Sequence, residues 1–195
     1  MKTQYTIAAY VLAGGKSSRM GCDKGLMSYR GKSMVQHTLE CLVEANLHAI
    51  IVANSSYYHS FGHIVVGDIV QQKGPIGGLL TALTHTSTEY VLLLSCDTPH
   101  VTAKLVNFVA SQIDGNDAVV PVYNGVSYPM CAAYSTNLKS VVQERVASNK
   151  LRMRDLVADV SSKFVDVTGI VPADVNAFAN FNSMSDFELI NQWNQ

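Results

Sequence analysis

The sequence predicts an α/β fold built on a mainly parallel sheet, and three observations predict it. Apolar runs of strand length alternate with segments of helical periodicity along the whole chain. Val91-Leu-Leu-Leu94 is apolar on both faces, as a central parallel strand covered by helices on each side must be. The apolar run from Ile7 to Leu12 passes directly into a glycine-rich loop, the strand-then-loop order from which α/β proteins build phosphate sites.

Strands are expected at Tyr5–Leu12, Ala49–Ala53, His63–Val66, Tyr90–Ser95, Ala118–Val122, Met130–Tyr134 and Phe164–Val167. Helices are expected at Ser33–Ala45, Ile76–Thr84, Thr102–Ser111, Asn137–Val146, Arg152–Asp159 and Asp186–Trp193. Leu39, Leu42 and Val43 give the first helix its apolar face. Pro75 falls where a helix tolerates proline best, in its first turn. Neither an internal repeat nor a Pro/Ser-rich linker divides the chain, so residues 1–195 read as one domain.

Composition narrows the function classes. Hydrophobic residues make up 48% and charged residues 15% of the 195, a globular balance. A net charge of -1 gives no global attraction for nucleic acid or for an anionic membrane surface. No apolar run is long enough to span a bilayer. The first residues could pass for a very short signal peptide, but cleavage would destroy the glycine loop, so they read as a first strand. Cys22, Cys41, Cys96 and Cys131 are scattered without a C-x-x-C pair, which supports neither a zinc site nor a disulfide framework. Free thiols in a reducing cytoplasm account for them most simply.

The loop Leu12-Ala-Gly-Gly-Lys-Ser-Ser-Arg-Met-Gly-Cys-Asp-Lys24 carries the strongest chemical signal. Gly14, Gly15 and Gly21 let backbone approach a ligand, and Lys16, Arg19 and Lys24 add positive charge, together a cradle for phosphates. The spacing is neither that of a Walker A loop, which would need glycine at Tyr10, nor G-x-G-x-x-G. In open α/β sheets ligands bind beyond the carboxyl ends of the strands, which groups this loop with Asn54, Asp68 and Asp97. Asp97, directly after its strand, suits Mg²⁺, an oxygen-loving ion usually shared with substrate phosphates; capping of the next helix by Asp97 or Thr102 is the competing role.

The pattern Leu12-Ala-Gly-Gly-x-Ser-x-Arg-Met-Gly-x-Asp-Lys24 resembles the signature of the molybdenum cofactor guanylyltransferases, which join GMP from GTP to molybdopterin. The resemblance extends in order to Asn182 and implies a three-layer α/β/α sandwich, Rossmann-like, of the nucleotide-diphospho-sugar transferase type. It implies GTP contacts at Leu12, Ala13, Gly14, Gly15, Lys24, Asn54, Asp68, Gly74, Gly78 and Asp97, with Arg19, Lys24 and Asp97 catalytic and Asp97 the Mg²⁺ ligand. Arg152, with Arg154 as the second choice, and Asn180 and Asn182 would meet molybdopterin. Gly74-Pro-Ile-Gly-Gly78 differs mildly from the family's Gly-Pro-Leu-Ala-Gly, Ser183-Met184 replaces Thr-Pro, and Tyr128-Pro129 replaces His-Pro. Proteins that hand over molybdopterin or receive the finished cofactor are implied partners.

The remaining features are quieter. His59 and His63 are four apart, but Phe61-Gly62 between them makes poor helix, so a surface loop is expected rather than a metal pair. His37, His48, His85 and His100 show no partner in the sequence, and no Ser-His-Asp order or paired catalytic carboxylates stand out. Two rival functions stay open: a CTP-dependent molybdopterin cytidylyltransferase or sugar-phosphate nucleotidyltransferase, and a non-catalytic nucleotide-binding or cofactor-chaperone module.

Overall fold

A computed structural model describes residues 5–14, 23–171 and 177–179. β1 (Ile7–Leu12) is followed by a small hairpin, β2 (Ser28–Tyr29) and β3 (Lys32–Ser33), and then by α1 (Met34–Glu44). β4 (Ala49–Val52), β5 (Ile64–Val66), α2 (Gly74–His85), β6 (Tyr90–Ser95) and α3 (Ala103–Ser111) complete the first half. β7 (Ala118–Tyr123), β8 (Val126–Ser127), β9 (Cys131–Ser135), α4 (Lys139–Ala147), α5 (Met153–Asp159) and β10 (Ser162–Asp166) follow. The expected helix at Asp186–Trp193 lies outside the described residues.

The sheet order is β10-β7-β9-β6-β1-β4-β5, with β8 added to β7. β1 lies parallel to β4 and β6, β4 to β5, and β10 to β7. β9 runs antiparallel between β6 and β7, and β8 pairs antiparallel with β7. The direction of β9 follows from its connection. Residues 124–130 hold only a hairpin and a turn, too little chain for the crossover that a parallel neighbour needs. Both hairpins, unmarked in the sequence reading, turn on two residues of positive φ, Arg30-Gly31 and Asn124-Gly125, the conformation of the tight primed turns.

Successive strand residues point to opposite faces, and both faces are apolar. Ala9, Val11, Leu92 and Leu94 pack with Val35, Leu39 and Leu42 of α1 and Leu105, Val106 and Val109 of α3. Tyr10, Val91 and Leu93 pack with Leu79 and Leu83 of α2, Val142 of α4 and Leu156 of α5. This is the expected three-layer sandwich. Val43 departs from expectation: the buried arc of α1 runs through Met34, Val35, Thr38, Leu39, Cys41 and Leu42, leaving Val43 62% exposed. Thr38 takes an inward position that the apolar pattern would not assign to it.

Pro75 sits in the first turn of α2, as expected. Gly78, in the same turn, is closely approached by the protein itself: a Cβ there would lie 2.7 Å from Cδ2 of Leu12. α2 thus rests on the last residue of β1, which sets the height of the loop that follows.

A strand buried on both faces should be intolerant on both. Leu92→Ala and Leu93→Ala, each at 0% exposure, should each cost about 2–5 kcal/mol in chemical denaturation. Phe164→Ala on edge strand β10, 50% exposed, should cost markedly less. Equal losses at all three positions would contradict the layering.

Candidate active site at the carboxyl edge

The ladder between strands continues past their ends. The amide of Ala13 donates to Val52 (3.0 Å), that of Ala53 to Val66 (2.9 Å), and that of Cys96 to Leu12 (3.1 Å). The chains leaving β1, β4, β5 and β6 therefore depart at one level. That level carries Gly14, Asn54, Asp68 and Asp97, the grouping the sheet rule anticipates.

Leu12 is half-buried, Ala13 is buried, and Gly14 is exposed at φ +84°, a conformation that suits glycine. Gly15 and Arg19 lie outside the described residues, as does the rest of the loop to Cys22. The chain returns at Asp23, which caps a short 3-10 turn, Lys24–Leu26. The Asp23 carboxylate accepts from the Gly25 amide (3.0 Å) and from the Tyr58 hydroxyl (2.6 Å). Tyr58 is wholly buried, and a Cβ on Gly25 would collide with its hydroxyl. Burial, then the bond to Asp23, pushes the Tyr58 phenol far up, so it stays a donor. Burial and the nearby Asp97 and Asp23 charges push the Cys96 thiol up to about 12, which leaves it inert.

Asp97 sits in the turn after β6 and is half-buried. Its Oδ1 accepts from the Ser95 hydroxyl (2.5 Å). The capping role belongs to Thr102, whose side chain accepts from the Leu105 amide (3.3 Å) at the start of α3. Capping therefore does not account for Asp97. Among the described residues no group of three or more His, Cys, Asp or Glu could hold a metal. A lone hard carboxylate at a phosphate site fits Mg²⁺, which keeps most of its shell for water and phosphate oxygens.

Asn54 and Asp68 bond reciprocally. The Asn54 amide donates to Asp68 Oδ2, and the Asp68 backbone N–H donates to Asn54 Oδ1, both at 2.9 Å. Burial raises the Asp68 carboxyl above the usual carboxylate range, and the Asn54 bond offsets part of the rise. The next residue is pinned to α2: the Ile69 amide donates to the Thr81 hydroxyl (3.1 Å), which donates to the Gly77 carbonyl (3.1 Å). Gly74 opens α2 at φ +60°.

The second half of the chain reaches the same edge. Lys73, at the start of α2, donates to Asn149 (3.1 Å), three residues before Arg152. Arg152 is the exposed N-cap residue of α5, and Arg154 is exposed one residue into that helix. The Ser95 amide donates to Met130 (3.0 Å), which brings the Tyr128-Pro129 turn beside the Asp97 strand. The Tyr128 ring stacks on Phe178 (3.8 Å between centroids, 12° between planes). Tyr128 thus has a packing role. Asn180 and Asn182 lie outside the described residues.

Three histidines without sequence partners acquire them. His85 bonds the Tyr10 hydroxyl (2.9 Å), His37 the Tyr29 carbonyl (2.8 Å), and His100 the Tyr29 hydroxyl (2.9 Å). Burial, Arg30 and His37 lower the His100 pKa. His59 lies in the 3-10 segment Ser56–Phe61, which Gly62 ends in a left-handed conformation, so His59 and His63 share no helix. Tyr58 is the site residue that the sequence hid. It and Tyr57 stand side by side in a polar loop, yet Tyr57 is 72% exposed and Tyr58 fully enclosed.

Comparison with known proteins agrees with this fold. The MobA-like NTP transferase domain matches residues 9–163. A probable molybdenum cofactor guanylyltransferase of Flavobacterium johnsoniae is 30% identical over 164 residues, covering 83% of this chain and 86% of that protein. A probable molybdenum cofactor guanylyltransferase of Clostridium perfringens is 26% identical, covering 93% and 94%. In fold the chain is similar to molybdopterin-guanine dinucleotide biosynthesis protein A of Archaeoglobus fulgidus, with a TM-score of 0.79, 18% identity, and coverage of 96% and 98%. It is also similar to a 4-diphosphocytidyl-2C-methyl-D-erythritol synthase of Anaerococcus prevotii, with a TM-score of 0.69, 13% identity, and coverage of 98% and 97%. On the match over residues 9–163, the chain belongs to the MobA-like NTP transferase family, a family of nucleotidyltransferases.

Proposed function

We propose that this protein transfers GMP from GTP to molybdopterin, forming the guanine dinucleotide cofactor and releasing pyrophosphate. One observation carries the reading. The Lys24 turn, the Asn54–Asp68 pair and Asp97 come from four separate segments and meet at one strand edge. The names of the 30% and 26% identical relatives support the same reaction.

In this reading the glycine loop amides, Gly14 and Gly15 among them, line the triphosphate, with Leu12 and Ala13 beneath and Gly74 and Gly78 across the groove. Arg19 and Lys24 neutralise the phosphates as charge moves onto the leaving pyrophosphate. A phosphate oxygen of molybdopterin attacks the α-phosphorus, and the bond to the bridging oxygen breaks, with no covalent enzyme intermediate. Catalysis is positioning plus charge stabilisation. Asp97 would hold Mg²⁺, which supplies Lewis acidity and a template when bound. Asp68 accepts from guanine N1–H and N2–H₂, two donors that cytosine lacks, and Asn54 orients the carboxylate. Arg152, Asn180 and Asn182 serve the molybdopterin side. A cytoplasmic setting is supported by Cys41, Cys96 and Cys131, all free and buried, and no helix among the described residues is long and apolar enough to cross a membrane.

The direct test is pyrophosphate release from each of the four NTPs, with and without molybdopterin. Release should require GTP and molybdopterin together. Equal turnover with CTP would promote the cytidylyl alternative, and no release with any NTP would leave a binding module.

Asp97→Asn keeps the shape and removes the charge, and turnover should fall ~100-fold or more with the fold intact. Near wild-type turnover in limiting Mg²⁺ would remove Asp97 from the reaction.

Asp68 gives a pH-dependent test. Its carboxyl pKa is raised in the folded chain, so the folded state holds that proton more tightly than the unfolded one. Wild-type stability therefore falls as pH rises through the raised value, and Asp68 ionised at neutral pH works against folding. Asp68→Asn should melt higher at neutral pH, with the gain vanishing below about pH 4, where both states are protonated. The same variant should bind GTP at least about tenfold more weakly, with pyrophosphate affinity unchanged. A lower melting temperature with GTP affinity intact would assign Asp68 to loop structure alone.

Asn180→Ala with Asn182→Ala separates the two substrates. GTP affinity should be spared and molybdopterin affinity reduced by about 1–3 kcal/mol. Lost GTP affinity with molybdopterin binding intact would reverse the division.

A further inference from the structure

The connection between β4 and β5 begins with Asn54 and then buries Tyr58 completely, although neighbouring Tyr57 is exposed. The Tyr58 side chain joins the α1/α3 apolar layer and comes up against both Gly14 and Gly25. Its ring edge lies 3.9 Å from where a Gly14 Cβ would stand, and its hydroxyl occupies the space left by the missing side chain of Gly25. Cys96, directly before Asp97, closes the other side, with its sulfur 3.3 Å from the same Gly25 position. One phenol therefore touches the start of the phosphate loop, its end, and the turn that carries Asp97.

The hydroxyl donates to Asp23 Oδ1 (2.6 Å), and the Gly14 backbone is a second hydrogen-bond partner. Asp23 Oδ1 also accepts from the Gly25 amide (3.0 Å) and so caps the turn whose first residue is Lys24. The turn closes on itself through the Leu26 amide to Asp23 and the Met27 amide to Lys24, both 3.1 Å. Fixing the carboxylate thus fixes the backbone from which Lys24 projects. Packing alone would not need a hydroxyl here. A phenylalanine would fill the volume, leaving the carboxylate, among the described residues, only the Gly25 amide.

We propose that Tyr58 is a positioning residue for nucleotidyl transfer: its hydroxyl locks Asp23, and through Asp23 the turn that presents Lys24 to the phosphates. This rests on the phosphate-handling role given to Lys24 above. It also places nucleoside recognition and phosphate recognition on one rigid unit, because the segment that holds Tyr58 is the one that starts with Asn54.

The test is a double-mutant cycle of Tyr58→Phe and Lys24→Ala on the full chain, with Tyr57→Phe as the exposed control. Three quantities are read: kcat and KM for GMP transfer, affinity for inorganic pyrophosphate with Mg²⁺ present, and melting temperature. Tyr58→Phe should lower kcat about ten- to a hundredfold, the scale of a small misplacement at a reacting group, and weaken pyrophosphate binding. In the Lys24→Ala background the same change should add almost nothing. Tyr57→Phe should alter none of the three. If Tyr58→Phe folds poorly, Asp23→Asn, which keeps the size and weakens the acceptor, should show the same non-additivity with Lys24→Ala. Equal losses in both backgrounds would overturn the proposal, as would a lower melting temperature with kcat and pyrophosphate affinity unchanged in the folded fraction. If the wild type binds pyrophosphate but transfers no GMP, the proposed function fails. The pyrophosphate cycle still decides the role of Tyr58.

Discussion

The arrangement depends on the parallel pairing of β1 between β4 and β6, and on its continuation for one residue beyond the strands. Leu12 accepts from Cys96, and Ala13 donates to Val52. These bonds hold the exits of three strands at a common height. Asn54, Asp68 and Asp97 then need only to sit two residues past their strand ends, Val52, Val66 and Ser95. A one-residue slip in register would exchange the side chains of the two packed faces and break the fit of both layers, so the core that stabilises the sheet also enforces the geometry of its rim.

The rim is built against ordinary folding preference in several places. Asp68 is a half-buried carboxylate whose charged form is disfavoured by its surroundings, relieved only in part by Asn54. Gly77 and Gly78 lie inside a helix, where glycine costs ~1 kcal/mol each relative to alanine. The cost at Gly78 is answered at least by contact with Leu12. Such local departures, offset by a well-packed interior, are usual at working sites. The interior is apolar on both faces of β6, from Val91 to Leu94. The layers do not share the work evenly. The α1/α3 face reaches under the Lys24 turn through Tyr58 and Cys96, whereas the α2/α4/α5 face carries Gly74, Gly78 and the segment leading to Arg152.

Much of the fold was legible along the chain because burial on a sheet leaves a simple mark. Val91-Leu-Leu-Leu94 could only be a strand enclosed on both sides. Pro75 marked the start of α2, and the spacing of Leu39 and Leu42 marked α1. Val43 misled because an apolar residue one position beyond the stripe looks like part of it until the sheet is in place. β9 was legible as a strand but not as a reversed one, since its residues are buried in either direction. The short chain before it was the available sign. The hairpin at Arg30-Gly31 was hidden because arginine is not a residue that announces positive φ.

By itself the sequence determined the order of strands and helices, the two-faced core, and the residue types offered at the strand ends: glycines and cations after β1, an amide after β4, carboxylates after β5 and β6. These follow from local periodicity and from chain connectivity. Only the tertiary structure decided which of those residues act on one another. It paired Asn54 with Asp68, gave helix capping to Thr102 and not to Asp97, and set Leu12 against Gly78. It also buried Tyr58 beneath Asp23 while leaving Tyr57 in solvent. Each of these is a contact between segments that come together only when the sheet is assembled. Its energy depends on distance and enclosure, and neither quantity is written in the identity of a residue or of its neighbours in the chain.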